Sequence, residues 1–173
     1  MEQVKQKNRT IEIIYTLFLG IMISVFVGLG IAAFYSEPPY PEMPSDLKVY
    51  SMPMEKSEEN SREAERILNS QKEYDKTIAD YQKILNDYNR NVSIIALIAS
   101  VLALSISLVL SHKLLVLADG VLLGGVITLL YSVARVFGSG DDKVRFLVVA
   151  VGLCVALILG YIKFIRPASV KST

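Results

Sequence analysis

Asp119 is the residue whose position most invites chemistry. It sits in "LLVLADGVLLGG", about one and a half helical turns inside an apolar run, and His112 lies seven residues earlier on the same helical face. A carboxylate at the centre of a membrane helix costs about 2.5–3.5 kcal/mol on insertion scales unless it is solvated, protonated or paired, so it marks a candidate functional site. Asp119 and His112, with Lys113 in reach, are the parts of a proton or cation relay. The simpler reading is an interfacial carboxylate hydrogen-bonded within a helix bundle, because no second acid follows deeper in the same run. A ring of identical subunits would supply several such groups.

The other chemical signals are sparser. Asp141 and Asp142 in "GSGDDKVRF" are adjacent carboxylates of the kind that hold a divalent cation. Capping of the following helix, with ion pairing to Arg135, Lys143 or Arg145, accounts for them without a metal. Cys154 is the single cysteine and His112 the single histidine, so zinc, haem, disulfide and Ser/His constellations lack their parts. No metal, cofactor or catalytic set is expected, and the chain reads as a non-enzyme.

A different pattern occupies "YDKTIADYQKILNDY": Tyr74, Tyr81 and Tyr88 recur every seventh residue, with Ile78 and Leu85 between them. Placing Ala64 at heptad position a puts Gln71, Ile78, Leu85 and Val92 at a and Ile67, Tyr74, Tyr81, Tyr88 and Ile95 at d. Position f reads Asn69, Lys76, Lys83, Arg90, a solvated face. Leu68 and Ile84, at e and g, widen the apolar stripe, and complementary charge pairs are missing from those flanks. Phenol rings bury apolar area while their hydroxyls reach a wet rim, which suits a broad helix–helix contact. Ile67, Tyr74, Ile78, Tyr81, Leu85 and Tyr88 are therefore expected at an oligomer interface, with packing on the proline-rich segment of the same chain as the alternative.

These residues need elements to carry them. The chain has 173 residues, 52% of them hydrophobic, no Trp, and a mean hydropathy of +0.42, outside the usual range for a soluble domain. Segments 11–34, 92–111, 114–136 and 144–165 are each apolar over the roughly 20 residues that cross a bilayer as helix. The first could be a signal peptide, but its apolar run exceeds a typical h-region, so it is read as an uncleaved anchor. The fold expected is all-α: a four-span transmembrane helical bundle, with a long coiled-coil-like extracytoplasmic helix continuous with the second span.

Lys5, Lys7, Arg9, Lys113, Lys163, Arg166 and Lys171 fall on one side of such a bundle, and only Arg135, Lys143 and Arg145 occupy the short loop opposite. Both termini, 1–10 and 166–173, are thereby assigned to the cytoplasm of a bacterial-type inner membrane. The segment 35–56 holds "EPPYPEMP", and five prolines over 37–54 are expected to rule out a helix there and to give an extended, partly polyproline II path, a stiff connector. From 57 to 91 no Gly or Pro interrupts a helix-forming composition, and the helix is expected to run unbroken into the second span. A helix of that reach, about 80 Å, is marginal alone in water and calls for a neighbour. Residues 137–143 form a short external turn.

Small residues recur at four-residue spacing in every span: Gly20, Ser24 and Gly28 in the first; Ala99, Ala103 and Ser107 in the second; Gly120 and Gly124 in the third; Gly152 and Gly160 in the fourth. Such faces let helix backbones approach closely, which drives association within lipid. A net charge of +1, with basic residues dispersed, offers no stripe for nucleic acid. The partners expected are the bilayer, further copies of the chain and an extracytoplasmic protein. The functional expectation is a self-assembling polytopic protein with a structural or partner-recruiting role. An oligomeric channel or transporter-like protein using Asp119 is the alternative.

Overall fold

The computed structural model describes residues 2–49, 60–111 and 113–162; the expected helix start at Ser57, the candidate His112 and the tail 163–173 lie outside them. The described residues form five α-helices and no strand: α1 (Glu2–Phe34), α2 (Ser45–Val49), α3 (Asn60–Leu110), α4 (Leu115–Val136) and α5 (Asp142–Gly160). Four of them are long and apolar enough to cross a membrane, namely Arg9–Phe34 within α1, Glu65–Leu110 within α3, Leu115–Ser139 and Asp142–Gly160.

The sequence explains most boundaries. Glu, Gln and Lys near the N-terminus favour helix, so α1 starts at Glu2 rather than at the edge of the apolar run. α3 meets no Gly or Pro and continues to Leu110, where Lys113 and Leu114 both donate backbone N–H bonds to the Leu110 carbonyl and close the turn into α4. After α4 a 3-10 turn, Phe137–Ser139, leads to Gly140, whose φ of 67° is left-handed and suits glycine. Asp141 then caps α5: one of its carboxylate oxygens accepts from the Lys143 and Val144 amides at 3.0 and 3.3 Å. α5, which carries the fourth apolar span, therefore begins at Asp142, two residues before the apolar run.

One expectation is corrected. The prolines of 37–54 do not exclude helix, because α2 forms directly after Pro44. The Pro44 carbonyl accepts from the Leu47 and Lys48 amides at 3.1 and 3.3 Å. A proline at a helix start loses no hydrogen bond, since the first amides are unpaired anyway.

The chain divides into two compact units, Met1–Ser36 with Asn89–Thr173, and Glu37–Tyr88. In the first, α4 is the central helix. It packs against α1 through Gly20, Ser24, Gly120 and Gly124, against α3 through a ladder of serines, and against α5 through Leu129 and Gly152. Leu97, Val136 and Val148 form a core cluster, closed by Leu129, Val133, Val144 and Val151. The outward positions stay apolar: Phe18, Phe26, Leu29, Ile98, Leu102, Leu130, Phe146 and Leu157 are all exposed. A surface of this kind is unfavourable in water and matched to lipid.

Candidate functional site

The Glu37–Tyr88 unit carries the tyrosine seam. Ile67, Tyr74, Ile78, Tyr81 and Leu85 are half-buried, Tyr88 is buried, and Gln71 is exposed. Lys76 and Lys83, on the opposite face, are exposed, and Lys83 pairs with Asp80 one turn away. The seam is partly covered by its own chain. The Tyr40 ring meets the Tyr81 ring edge-on, with centroids 5.3 Å apart and planes at 75°. The Tyr81 hydroxyl donates to the Pro38 carbonyl at 3.5 Å, the outer limit of a hydrogen bond. A hydrogen bond with Tyr40, then loss of solvent and the nearby Asp75 charge, raise the Tyr74 phenol above an ordinary tyrosine. The segment around Pro38 and Tyr40 is thus a strap across two of the three tyrosines. Leu68 and Ile84, on the flanks of the seam, remain 51% and 57% exposed.

In the bundle the heptad frame of the seam does not define the buried face. Val92 is fully buried, but Ile95 is exposed, as are Leu102, Ile106 and Val109 at the following a and d positions. The buried face of α3 there is Asn89, Val92, Ser93, Ala96, Leu97, Ser100, Leu104 and Ser107. Its serines donate to α4 in antiparallel register. Ser93 bonds the Ser132 carbonyl at 2.9 Å, Ser100 the Gly125 carbonyl at 2.9 Å and Ser107 the Ala118 carbonyl at 2.7 Å. Each step moves seven residues down α3 and seven back along α4. Ser132 returns a bond to the Ser93 carbonyl at 2.7 Å, so this pair is reciprocal.

Sequence reasoning passed over Ser93 and Ser100 because it sought small residues at four-residue spacing. The usable signal was the seven-residue recurrence of serine at 93, 100 and 107, facing Ser132, Gly125 and Ala118 at the same spacing. Asn89 was also missed as a buried polar anchor. Its side chain accepts from Arg135 Nη1 at 2.8 Å and donates to the Gly138 carbonyl at 3.2 Å, fastening α3 to the end of α4. Nearby, Asn91 donates to the Tyr35 hydroxyl at 2.8 Å, and Arg145 joins Asp142 to the Phe137 carbonyl, each at 2.8 Å.

The expected packing residues divide into two sets. A Cβ on Gly20 would come within 2.8 Å of Leu123, one on Gly120 within 2.6 Å of Leu19, and one on Gly124 within 2.8 Å of Ile23. Ser24 donates both to the Gly20 carbonyl of its own helix and to the Gly124 carbonyl, at 3.0 and 3.1 Å. Gly152 is buried with ordinary room beside Leu129. Among the described residues nothing lies within 4 Å of a Cβ placed on Gly28 or Gly160, so no close approach there depends on either glycine.

Asp119 is half-buried on α4, next to the Gly120 contact with Leu19, and takes part in a polar or electrostatic interaction of its own. Asp141 and Asp142 act as helix cap and ion-pair partner. Among the described residues, no group of three or more His, Cys, Asp and Glu is arranged to hold a metal ion. Comparison of the chain with known protein families, curated proteins and solved structures finds no match.

Proposed function

We propose that this chain is a self-assembling multi-pass membrane protein with a structural or partner-recruiting role, exercised through the helical face of its Glu37–Tyr88 unit. The observation that carries the reading is the tyrosine seam. A stripe with apolar and aromatic a and d positions lies outside the long apolar runs, only part of it is covered by its own strap, and Leu68 and Ile84 stay exposed beside it. A half-buried apolar and aromatic stripe with exposed apolar residues on its flanks is surface that a partner helix can bury. The buried hydroxyls of the bundle support the same reading. Ser93, Ser100, Ser107 and Ser132 each donate to a backbone carbonyl of the facing helix, so their polar capacity is used in holding helices together, while Thr128 donates to the Gly124 carbonyl of its own helix.

In this reading both termini are cytoplasmic and residues 35–91 face outward, in keeping with the short-loop charges. An impermeant thiol reagent applied to intact cells checks it in a Cys154→Ala background: it should label Ser57→Cys and spare Ser172→Cys. Assembly is tested by native mass spectrometry of the gently solubilised protein. Tyr81→Ala with Leu85→Ala should deplete the oligomer, and Lys76→Ala with Lys83→Ala should leave it intact. Equal oligomer populations in the two double variants would remove the seam from the interface. Reconstituted protein should show no ion flux that depends on Asp119; a conductance abolished by Asp119→Asn would replace this function with the channel.

A further inference from the structure

The strap and the seam together point to a device that controls assembly. We propose that the Pro38–Tyr40 strap is an intramolecular competitor for the tyrosine seam, and that the occupant it excludes is the same face of α3 in a second copy of the chain. The inference rests on the self-assembly reading above and adds to it the identity of the partner and the means of regulation.

The strap is built to be displaced. Pro38, Pro39 and Pro41 have no backbone N–H, so this stretch cannot bind α3 through a ladder of main-chain donors. Among the described residues the side-chain contacts found are few: one edge-to-face ring pair and one hydroxyl bond at 3.5 Å, with Tyr40 near enough to raise the Tyr74 phenol. Tyr40 itself remains 67% exposed while it makes them. Stiffness favours the docked geometry, because proline limits the conformations lost on docking. The strap is therefore prepaid in entropy but weakly held.

The charge pattern is compatible with a second copy. From Ile67 to Leu85, positions a, d, e and g carry one charge, Asp75, whereas b, c and f carry Lys72, Glu73, Lys76, Asp80 and Lys83. Two copies anchored with the same topology bring their α3 helices together pointing the same way. In that arrangement identical flanking positions lie near each other, and like charges there would repel. Their near absence removes that repulsion. The exposed Leu68 and Ile84 are apolar area that the strap leaves uncovered and a helix would cover.

Removing the strap's hold should tighten assembly, because apparent affinity falls with the fraction of chains whose binding face is open. The full-length chain, carrying donor or acceptor fluorophores at its N-terminus, is diluted with lipid in liposomes to find the density at which energy transfer is half lost. Tyr40→Ala, and separately Pro38→Gly with Pro39→Gly, should lower that density by at least about twofold, the lower end of what an aromatic pair contributes. Tyr81→Ala with Leu85→Ala should raise it. If the wild type assembles but both strap variants dissociate as readily as wild type or more so, the competitor proposal is overturned and self-assembly stands. If wild type and every variant stay monomeric at all densities, both fall.

Discussion

Replacing Gly124 by alanine should destabilise the bundle, although alanine is the better helix former. An added Cβ would sit 2.8 Å from Ile23 Cβ and 2.9 Å from its Cγ2, with the Gly20 carbonyl oxygen at 3.1 Å. Isoleucine is β-branched and held at χ1, and the carbonyl is backbone, so neither neighbour yields easily. Restoring ordinary contact requires α1 and α4 to separate by about 0.6 Å. Ser24 Oγ, now 3.1 Å from the Gly124 carbonyl, would then move beyond hydrogen-bond reach. Overpacking costs about 1–3 kcal/mol and an interhelical hydrogen bond in a membrane protein about 0.6. Exchange of glycine for alanine in a helix returns about 1. The net expectation is a loss of about 0.6–2.6 kcal/mol. Gly28→Ala, with nothing within 4 Å, should instead be neutral or gain up to about 1 kcal/mol. Unfolding in mixed micelles by titration with a denaturing detergent measures both. Gly124→Ala matching wild-type stability, or Gly28→Ala losing as much as Gly124→Ala does, would refute the packing argument. Loss of the oligomer with retained fold in Gly28→Ala would place that glycine between copies.

Each hydroxyl of the Ser93–Ser132 pair donates to the other residue's backbone carbonyl, which alanine keeps, so Ser93→Ala and Ser132→Ala should each cost about 0.6–1.7 kcal/mol and add nearly independently, the hydroxyl–hydroxyl contact at 3.2 Å being the one term they share; wild-type stability in either single variant would mean that its bond does not form. Asn89→Ala strips a partner from Arg135 and from the Gly138 carbonyl, so it should cost about 1.5–3 kcal/mol in the same unfolding assay. Asp141→Ala removes a cap with two amide bonds and should cost about 0.5–2 kcal/mol, whereas Asp142→Ala, whose ion pair is exposed, should cost less than about 1. The hydrogen bond that raises the Tyr74 phenol favours its neutral form. Its contribution to strap docking is therefore complete below the ordinary tyrosine value, ~10, and is lost as pH rises through the higher value of the docked ring. Absorbance titration of tyrosinate, wild type against Tyr40→Ala, should show one phenol titrating at lower pH in the variant.

Which residues form helix, and which helices are apolar along a membrane-spanning length, is a local property, and the sequence by itself determined it. Hydropathy marked four long apolar helices, and the absence of Gly and Pro between residues 54 and 119 gave α3 its length. The small-residue spacing found Gly20, Ser24, Gly120 and Gly124 because close approach requires the missing side chain itself. It could not separate these from Gly28 and Gly160, which have the same spacing but, among the described residues, nothing within 4 Å of an added Cβ, since spacing specifies a face and not what faces it. The heptad frame was likewise legible from Ile67 to Tyr88 but did not foretell that the buried face of α3 would shift to Ser93, Ser100 and Ser107. That shift belongs to the pairing with α4, where each hydroxyl needs a carbonyl on another helix at the right height. Packing of the seam on the proline-rich segment was legible as an alternative, but which ring meets which was not, because Tyr40 and Tyr81 lie far apart in the chain. Tertiary structure decided these matters because hydrogen bonds and ring contacts join particular atoms across segments, whereas helix formation and lipid solubility sum over residues that are neighbours in sequence.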